Sequence, residues 1–259
     1  MKQFETTVIE IVNHLVREHP QVAPSIEAIA GARVAEQKLN QRYFGLNNLD
    51  EKLEKWLNYD HGFFVELGAN NGVDQSNTLH FERYKNWKGI LIEPVPHNYI
   101  ACRKVRSAEN NFFCNACTSF EYQDKFVEIV YSNLMSTAIG LDSDIAQPFE
   151  HARVGRQFLG STEDNFIFGA VATPLNTLLQ QAGAPRVMDL LSLDVEGAEL
   201  EVLKGVDHST FRFKYLCIES RSAESLTKYL ESHKYSFVEK LSVHDYLFCD
   251  AKLSNRGTS

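Results

Sequence analysis

Two hydrophobic periodicities divide the chain. Up to about residue 58, apolar positions recur at helical spacing: Val8, Val12 and Leu15 form a stripe flanked by Ile9 and Val16, interrupted by Pro20 and Pro24. Leu49, Leu53, Trp56 and Leu57 repeat the pattern just before YDHG. Such stripes are faces that pack on a core; a lid, or a contact between two copies of the chain, would carry the same signature. From residue 59 the texture becomes strands alternating with helices. GFFVEL and GILIEP are near-continuous apolar runs, as a strand buried on both faces requires. Helical stretches SNTLHFERYKNW and HNYIACRKVRS follow them in turn, and NNFFCNACTS reads as a third strand. Further on come DLLSLDV, the helix EGAELEVLKG, KYLCIES and the helix SAESLTKYLESH, then YSFVEKLSV and DYLFCD as a terminal hairpin.

Repeated strand–helix–strand units with right-handed crossovers predict an α/β fold around a mostly parallel, doubly wound sheet, the hairpin adding an antiparallel strand at one edge. The expected organisation is a helical appendage over 1–58, a main domain over 59–250 and a tail over 251–259. Residues 120–173 form the least regular part, with KFVEIVYS and NFIFGAVAT as possible strands around a polar, glycine-containing stretch. Long insertions of this kind are often lids over a site.

Composition narrows the function classes. A net charge of −8 argues against nucleic acid as partner. No apolar run reaches the length of a membrane span. The first turns carry Glu5 and Glu10 and no small-residue cleavage site, so no secretory leader is expected. Five cysteines suit reduced thiols in a cytoplasmic protein better than a disulfide framework. Cys114 and Cys117 spell C-x-x-C, but within a strand they face opposite ways and no second pair completes a metal site.

In open α/β sheets, ligands bind beyond the carboxyl ends of the strands. Four of those ends carry acids here: Glu66, Glu93, Asp194 and Glu219. The first strand runs into a turn with Gly68, Asn70 and Gly72, which departs from the G-x-G-x-x-G dinucleotide fingerprint. Glu66 beside that turn would repel a pyrophosphate. A nucleoside bearing a cation reverses the argument, and S-adenosylmethionine carries both an ammonium and a sulfonium. Gly68 and Gly72 then allow close backbone approach, Glu93 accepts from both ribose hydroxyls, and Asn115 reaches the adenine region.

FVELGANNGVDQSNTLHFERYKNWKGILIEPVPHNY and LLSLDVEGAELEVLKGV, with TPLNTLLQQAG between them, resemble the FkbM family of S-adenosylmethionine-dependent methyltransferases. The resemblance runs from about Phe63 to Asp250. It implies a class I, Rossmann-like methyltransferase with a seven-stranded sheet, and methyl transfer to a hydroxyl of a sugar or natural product. It also implies roles: Glu66, Gly68, Asn70 and Gly72 in the first cofactor loop, Ser76 and Asn77 along the methionine end, Glu93 at the ribose, Asn115 and Ala116 around the adenine. Asp194 and Glu196 match an acidic D-x-E-G-x-E core near the transferred methyl. Where the family often has aspartate, this chain has the longer Glu66.

For catalysis, Asp194 and Glu196 are two apart and share a side of an extended backbone, although Glu196 is equally suited to cap the helix after Gly197. His244 opens the last strand and is the other candidate base. Ser136 is a turn residue or a contact to the ligands. Asp194 and Glu219 end neighbouring strands and are candidate ligands for Mg²⁺, though no metal is needed by the main reading. The rival readings are a non-catalytic module on the same scaffold and a nicotinamide-dependent oxidoreductase. The expected partner is a small-molecule or glycan acceptor, with a homodimer through the N-terminal helices.

Overall fold

The computed structural model describes residues 41–161 and 163–254. The predicted helix carrying Val8, Val12 and Leu15, and the dimer contact expected of it, lie outside the described residues. The chain divides between Arg42 and Tyr43, and the second unit is the one that follows.

Its elements alternate as the periodicity predicts. Helix α1 (Leu49–Glu54) precedes β1 (Phe63–Leu67), α2 (Leu79–Lys85), β2 (Lys88–Ile92), α3 (Pro96–Val105) and β3 (Asn111–Phe113). After an insertion come α5 (Leu175–Gln181), β8 (Val187–Leu193), α6 (Glu199–Leu203), β9 (Arg212–Glu219) and α7 (Ala223–Ser232). The chain closes with β10 (Tyr235–Lys240), β11 (Asp245–Asp250) and α8 (Ala251–Ser254).

Seven strands form one sheet in the order β10-β11-β9-β8-β1-β2-β3. The five strands from β9 to β3 are parallel. The terminal hairpin is inserted with its second strand inward: β11 pairs antiparallel with β9 and leaves β10 at the edge. The continuous apolar runs follow from burial on two faces. Val65 and Leu67 point into one core with Ile90, Leu191 and Leu193, while Phe64 points into another with Leu91 and Leu190. Leu49, Leu53 and Leu57 belong to that second core, and Trp56 stands 40% exposed with its Nε1 donating to Glu239.

The insertion is more ordered than its sequence implies. It holds β4 (Ala116–Thr118), β5 (Phe126–Tyr131), β6 (Thr137–Ile139), α4 (Pro148–Gly155) and β7 (Phe166–Pro174). These strands make a second, four-stranded sheet, β4-β7-β5-β6, around Val127, Ile129 and Ala170. The stretch read as one strand, NNFFCNACTS, is two. Phe113 pairs with Ile92 in the main sheet, and three residues later Ala116 pairs with Ala172 in the small one. No disulfide joins any of the five cysteines; Cys114 lies at this change of sheet and Cys117 is buried in β4. Among the described residues no helix is long and apolar enough to cross a membrane.

Candidate active site

The parallel strands end on one rim, and a cavity of about 290 Å³ opens there between the main sheet and the insertion. Gly68, Asn70, Glu93, Asn115, Ala116, Asp194 and Glu196 line it, as does Ser136. Met135 and Phe158 from the insertion, Leu46 and Arg221 complete the wall, and none of these four was singled out from the sequence. Glu66, Gly72, Ser76, Asn77 and His244 are not among the lining residues.

Glu66 shows why. The strand alternation that points Val65 and Leu67 into one core turns Glu66 to the other side of the sheet, with Phe64. There it accepts from the Ser76 hydroxyl at 3.0 Å, the Asn77 amide at 3.0 Å and the Thr78 hydroxyl at 2.6 Å. Arg106 Nη1 completes the set at 3.1 Å. The acid therefore anchors the segment that opens α2, where negative charge is favoured, and its cation is the chain's own arginine. Glu66, expected in the first cofactor loop, and Ser76 and Asn77, expected along the methionine end, thus engage one another behind the cavity wall. Gly72, with φ +82, is likewise a packing glycine: a Cβ there would lie 2.9 Å from Cys102 Sγ and Arg106 Cγ.

Gly68 is different. Its φ is +76, and a Cβ would fall 1.9 Å from the Asp194 carbonyl oxygen. Only glycine lets β1 turn away against the end of β8 here. Asn70, also left-handed at φ 44, donates its amide to Glu93 Oε2 at 2.8 Å, and Val95 donates to Oε1 at 2.8 Å. Loss of solvent nevertheless outweighs these two bonds and pushes the Glu93 carboxyl up to about 7. The Asn70 side chain donates to Asn133 Oδ1 at 3.1 Å, joining the glycine turn to the insertion. Asn115 sits at the change of sheet and donates to Thr173 Oγ1 at 3.0 Å. Ser136 serves its own turn, its hydroxyl donating to Asn133 O at 2.7 Å.

The ends of β8 and β9 bring acids together. Asp194 is open to the cavity but walled by protein elsewhere. Removal from bulk water, then the like charges of Glu219 and Glu196, hold its carboxyl well above the usual range. Glu219 is raised as well, first by burial and then by the like charge of Glu196. Oxygens of Asp194, Glu196 and Glu219 lie within 4.8 Å of one another, a donor set that suits a hard divalent ion. Arg221 stands on the same ground, with Nη2 3.1 Å from Glu196 Oε2 and 3.4 Å from Glu219 Oε1.

Glu196 does not cap the following helix. No side chain caps it; Glu199, its first residue, accepts from the Val195 amide at 3.0 Å and the Gly197 amide at 3.1 Å in the turn before it, while burial pushes its carboxyl up to about 8. Glu196 instead meets His151 Nε2 of α4 at 2.8 Å. Sequence reasoning missed His151 because it lies 45 residues away, inside the insertion. His244 is exposed on the β10–β11 turn, where its backbone is engaged, the carbonyl accepting from the Ser220 amide at 2.8 Å and the amide donating to Ser242 Oγ at 3.3 Å.

The relocation of Glu66 removes the charge argument raised above against a dinucleotide. A stronger one replaces it. Arg221 is the one lysine or arginine among the lining residues described, and it is already engaged by Glu196 and Glu219. A pyrophosphate would find no counter-charge. Comparison with known proteins identifies a family: the methyltransferase FkbM domain matches residues 66–241, which takes in every strand of the main sheet except β11 and most of β1. No curated protein matches the chain. With its seven-stranded Rossmann-like sheet and its acid-rimmed cavity at the strand ends, the chain belongs to the FkbM methyltransferase family.

Proposed function

We propose that the protein is an S-adenosylmethionine-dependent O-methyltransferase acting on a hydroxyl of a sugar or natural product. The observation that carries this reading is the order of groups along the rim. Strand order sets Asn115 and Ala116 beyond β3, Glu93 beyond β2, Gly68 beyond β1, and Asp194 and Glu196 beyond β8. That sequence fits adenine, ribose, methionine backbone and sulfonium in turn. Gly68 borders the cavity with backbone and no side chain, which supports close approach of a ligand. Glu93 retains unused lone pairs on both carboxylate oxygens for a diol. The excess of acid over base at the Asp194 end supports a cationic donor.

When bound, the cofactor would supply an electrophilic methyl on sulfur. The chain's part is alignment and proton removal. Positioning supplies much of the acceleration in such reactions, and a base adds about 10²–10⁴-fold. Asp194 and Glu196 are the candidate bases, and His244 leaves the list because it lies off the cavity. Met135, Leu141 and Phe158 give the acceptor side apolar surface, which supports a small hydroxylated molecule over nucleic acid or membrane. Five cysteines without a disulfide support a reducing compartment such as the cytoplasm.

Calorimetric titration with S-adenosylhomocysteine, with NAD as control, tests the reading. Micromolar or tighter binding of the former alone is expected. A folded protein that binds neither would instead be a scaffold that has lost catalysis.

A further inference from the structure

Glu196 is restrained from the insertion at every level. Its backbone is left-handed, φ 54, a conformation that a non-glycine residue keeps only where its surroundings enforce it. Thr137 of β6 donates its hydroxyl to the Glu196 carbonyl at 2.8 Å. The next residue, Gly197, accepts the Asp144 amide at 2.9 Å, and a Cβ on it would strike Ser143 Oγ at 2.5 Å. The side chain is fixed as firmly. His151 Nε2 and Arg221 Nη2 both meet Oε2, at 2.8 and 3.1 Å. A carboxylate can only accept, so Nε2 carries the ring proton in this pair. Oε1 receives no hydrogen bond from the described residues, although Glu196 lines the cavity. His151 itself does not line the cavity, and its side chain is 12% exposed.

We propose that His151 is a positioning residue for methyl transfer: by engaging Glu196 Oε2 it holds Oε1 at the point where the methyl group passes to the acceptor. The inference rests on the methyltransferase reading above. In the step it serves, the acceptor oxygen forms its bond to the methyl carbon while the carbon–sulfur bond breaks, its electron pair going to sulfur. The acceptor's proton passes to Glu196 Oε1. The sequence resemblance assigns Glu196 to this region; the group that aims it, His151, comes from α4 in the insertion, 45 residues away.

The alternative is that His151 merely staples α4 to the β8–α6 turn. Sinefungin separates the two without any acceptor, because it carries an amine where the donor carries its methyl sulfonium. Its affinity relative to S-adenosylhomocysteine therefore reads the carboxylate at the transfer point. We expect the wild-type protein to bind sinefungin about tenfold more tightly, as one charge-assisted hydrogen bond would give. His151→Ala should bring that ratio close to one while S-adenosylhomocysteine binds within about twofold of wild type, the donor at Oε2 being all that changes. His151→Gln, whose amide can donate to Oε2, should restore the preference, and Glu196→Gln should abolish it. A His151→Ala variant that keeps the full preference, or that loses both ligands in proportion, overturns the proposal. A wild-type ratio of one does so too. If the folded wild-type protein binds neither ligand, the methyltransferase reading itself fails.

Discussion

Arg106 Nη1 lies 3.1 Å from Glu66 Oε2, and the two side chains are 0% and 5% exposed. The same guanidinium reaches Glu82 through Nε at 2.9 Å and Thr78 through Nη2 at 2.9 Å. One buried cation thus ties β1, the start of α2 and the end of α3 behind the glycine turn. Removing it strands two carboxylates. Arg106→Met is expected to cost about 3–5 kcal/mol, and Glu66→Gln, which leaves a neutral partner, about 1–3 kcal/mol. Urea unfolding of the two variants checks this, and equal losses would mean that the pair does not carry the network.

Glu93 makes a pH prediction whose sign is fixed by its environment. Its carboxyl holds a proton up to about 7, against 4.5 for a free glutamate. The native state therefore binds that proton more tightly than the unfolded chain. The stability it brings is complete below about 4.5 and is lost as pH rises through about 7, an amount on the order of 3 kcal/mol. Glu93→Gln should lack this component. The stability difference between variant and wild type should shift in favour of the variant between pH 4.5 and 8, and a pH-independent difference would contradict the assignment.

The same residue should matter to ligand binding. Loss of a desolvated carboxylate–diol contact in Glu93→Ala is expected to weaken S-adenosylhomocysteine by about 1.5–3 kcal/mol. Unchanged affinity by calorimetry would remove Glu93 from the ribose position.

Gly68→Ala puts a methyl 1.9 Å from the Asp194 carbonyl oxygen, on a backbone with φ +76. The turn must shift, at a cost above about 1 kcal/mol. Since Asp194 moves with it, S-adenosylhomocysteine should bind at least about tenfold more weakly, a loss of 1.4 kcal/mol or more. Thermal unfolding and titration of one preparation measure both effects.

Arg221 decides the metal question in a way that experiment can follow. Because its guanidinium already stands between Glu196 and Glu219, ligand binding is expected to survive exhaustive EDTA treatment. Arg221→Ala should expose the oxygen set and acquire a rise in melting temperature on addition of Mn²⁺, which the wild type should not show. A wild-type protein stabilised by Mn²⁺ would reverse the assignment.

Much of the main sheet was legible because two-sided burial writes itself into sequence as near-continuous apolar runs, of which β1 and β2 are examples. The acids and the glycine turn at the strand ends were legible for a related reason: chemistry at a sheet rim interrupts such runs with polar residues. What the sequence hides is which face a side chain takes and what meets it from afar. Glu66 stands out in the sequence as an anomaly, but nothing near it announces Arg106, 40 residues away. The small sheet was hidden for a different reason. Strands as short as Ala116–Thr118 and Thr137–Ile139 hold too few residues to establish a period, and only pairing makes them strands.

The change of sheet at Cys114 and Asn115 has a consequence for anyone recombining this protein with its relatives. The insertion looks like a removable cassette, a loop region with its own small core. It is not one, because its first strand follows β3 after only two residues and its last strand ends at Pro174, where α5 begins. Asn115, Ala116 and Cys117, which form part of the cavity wall, belong to that junction. A chimera cut at residues 120 and 173 would split β4 from the β7 partner it was selected with. Crossovers placed before Cys114 and after Pro174 would move the small sheet, its share of the wall and the aim of His151 as one heritable unit.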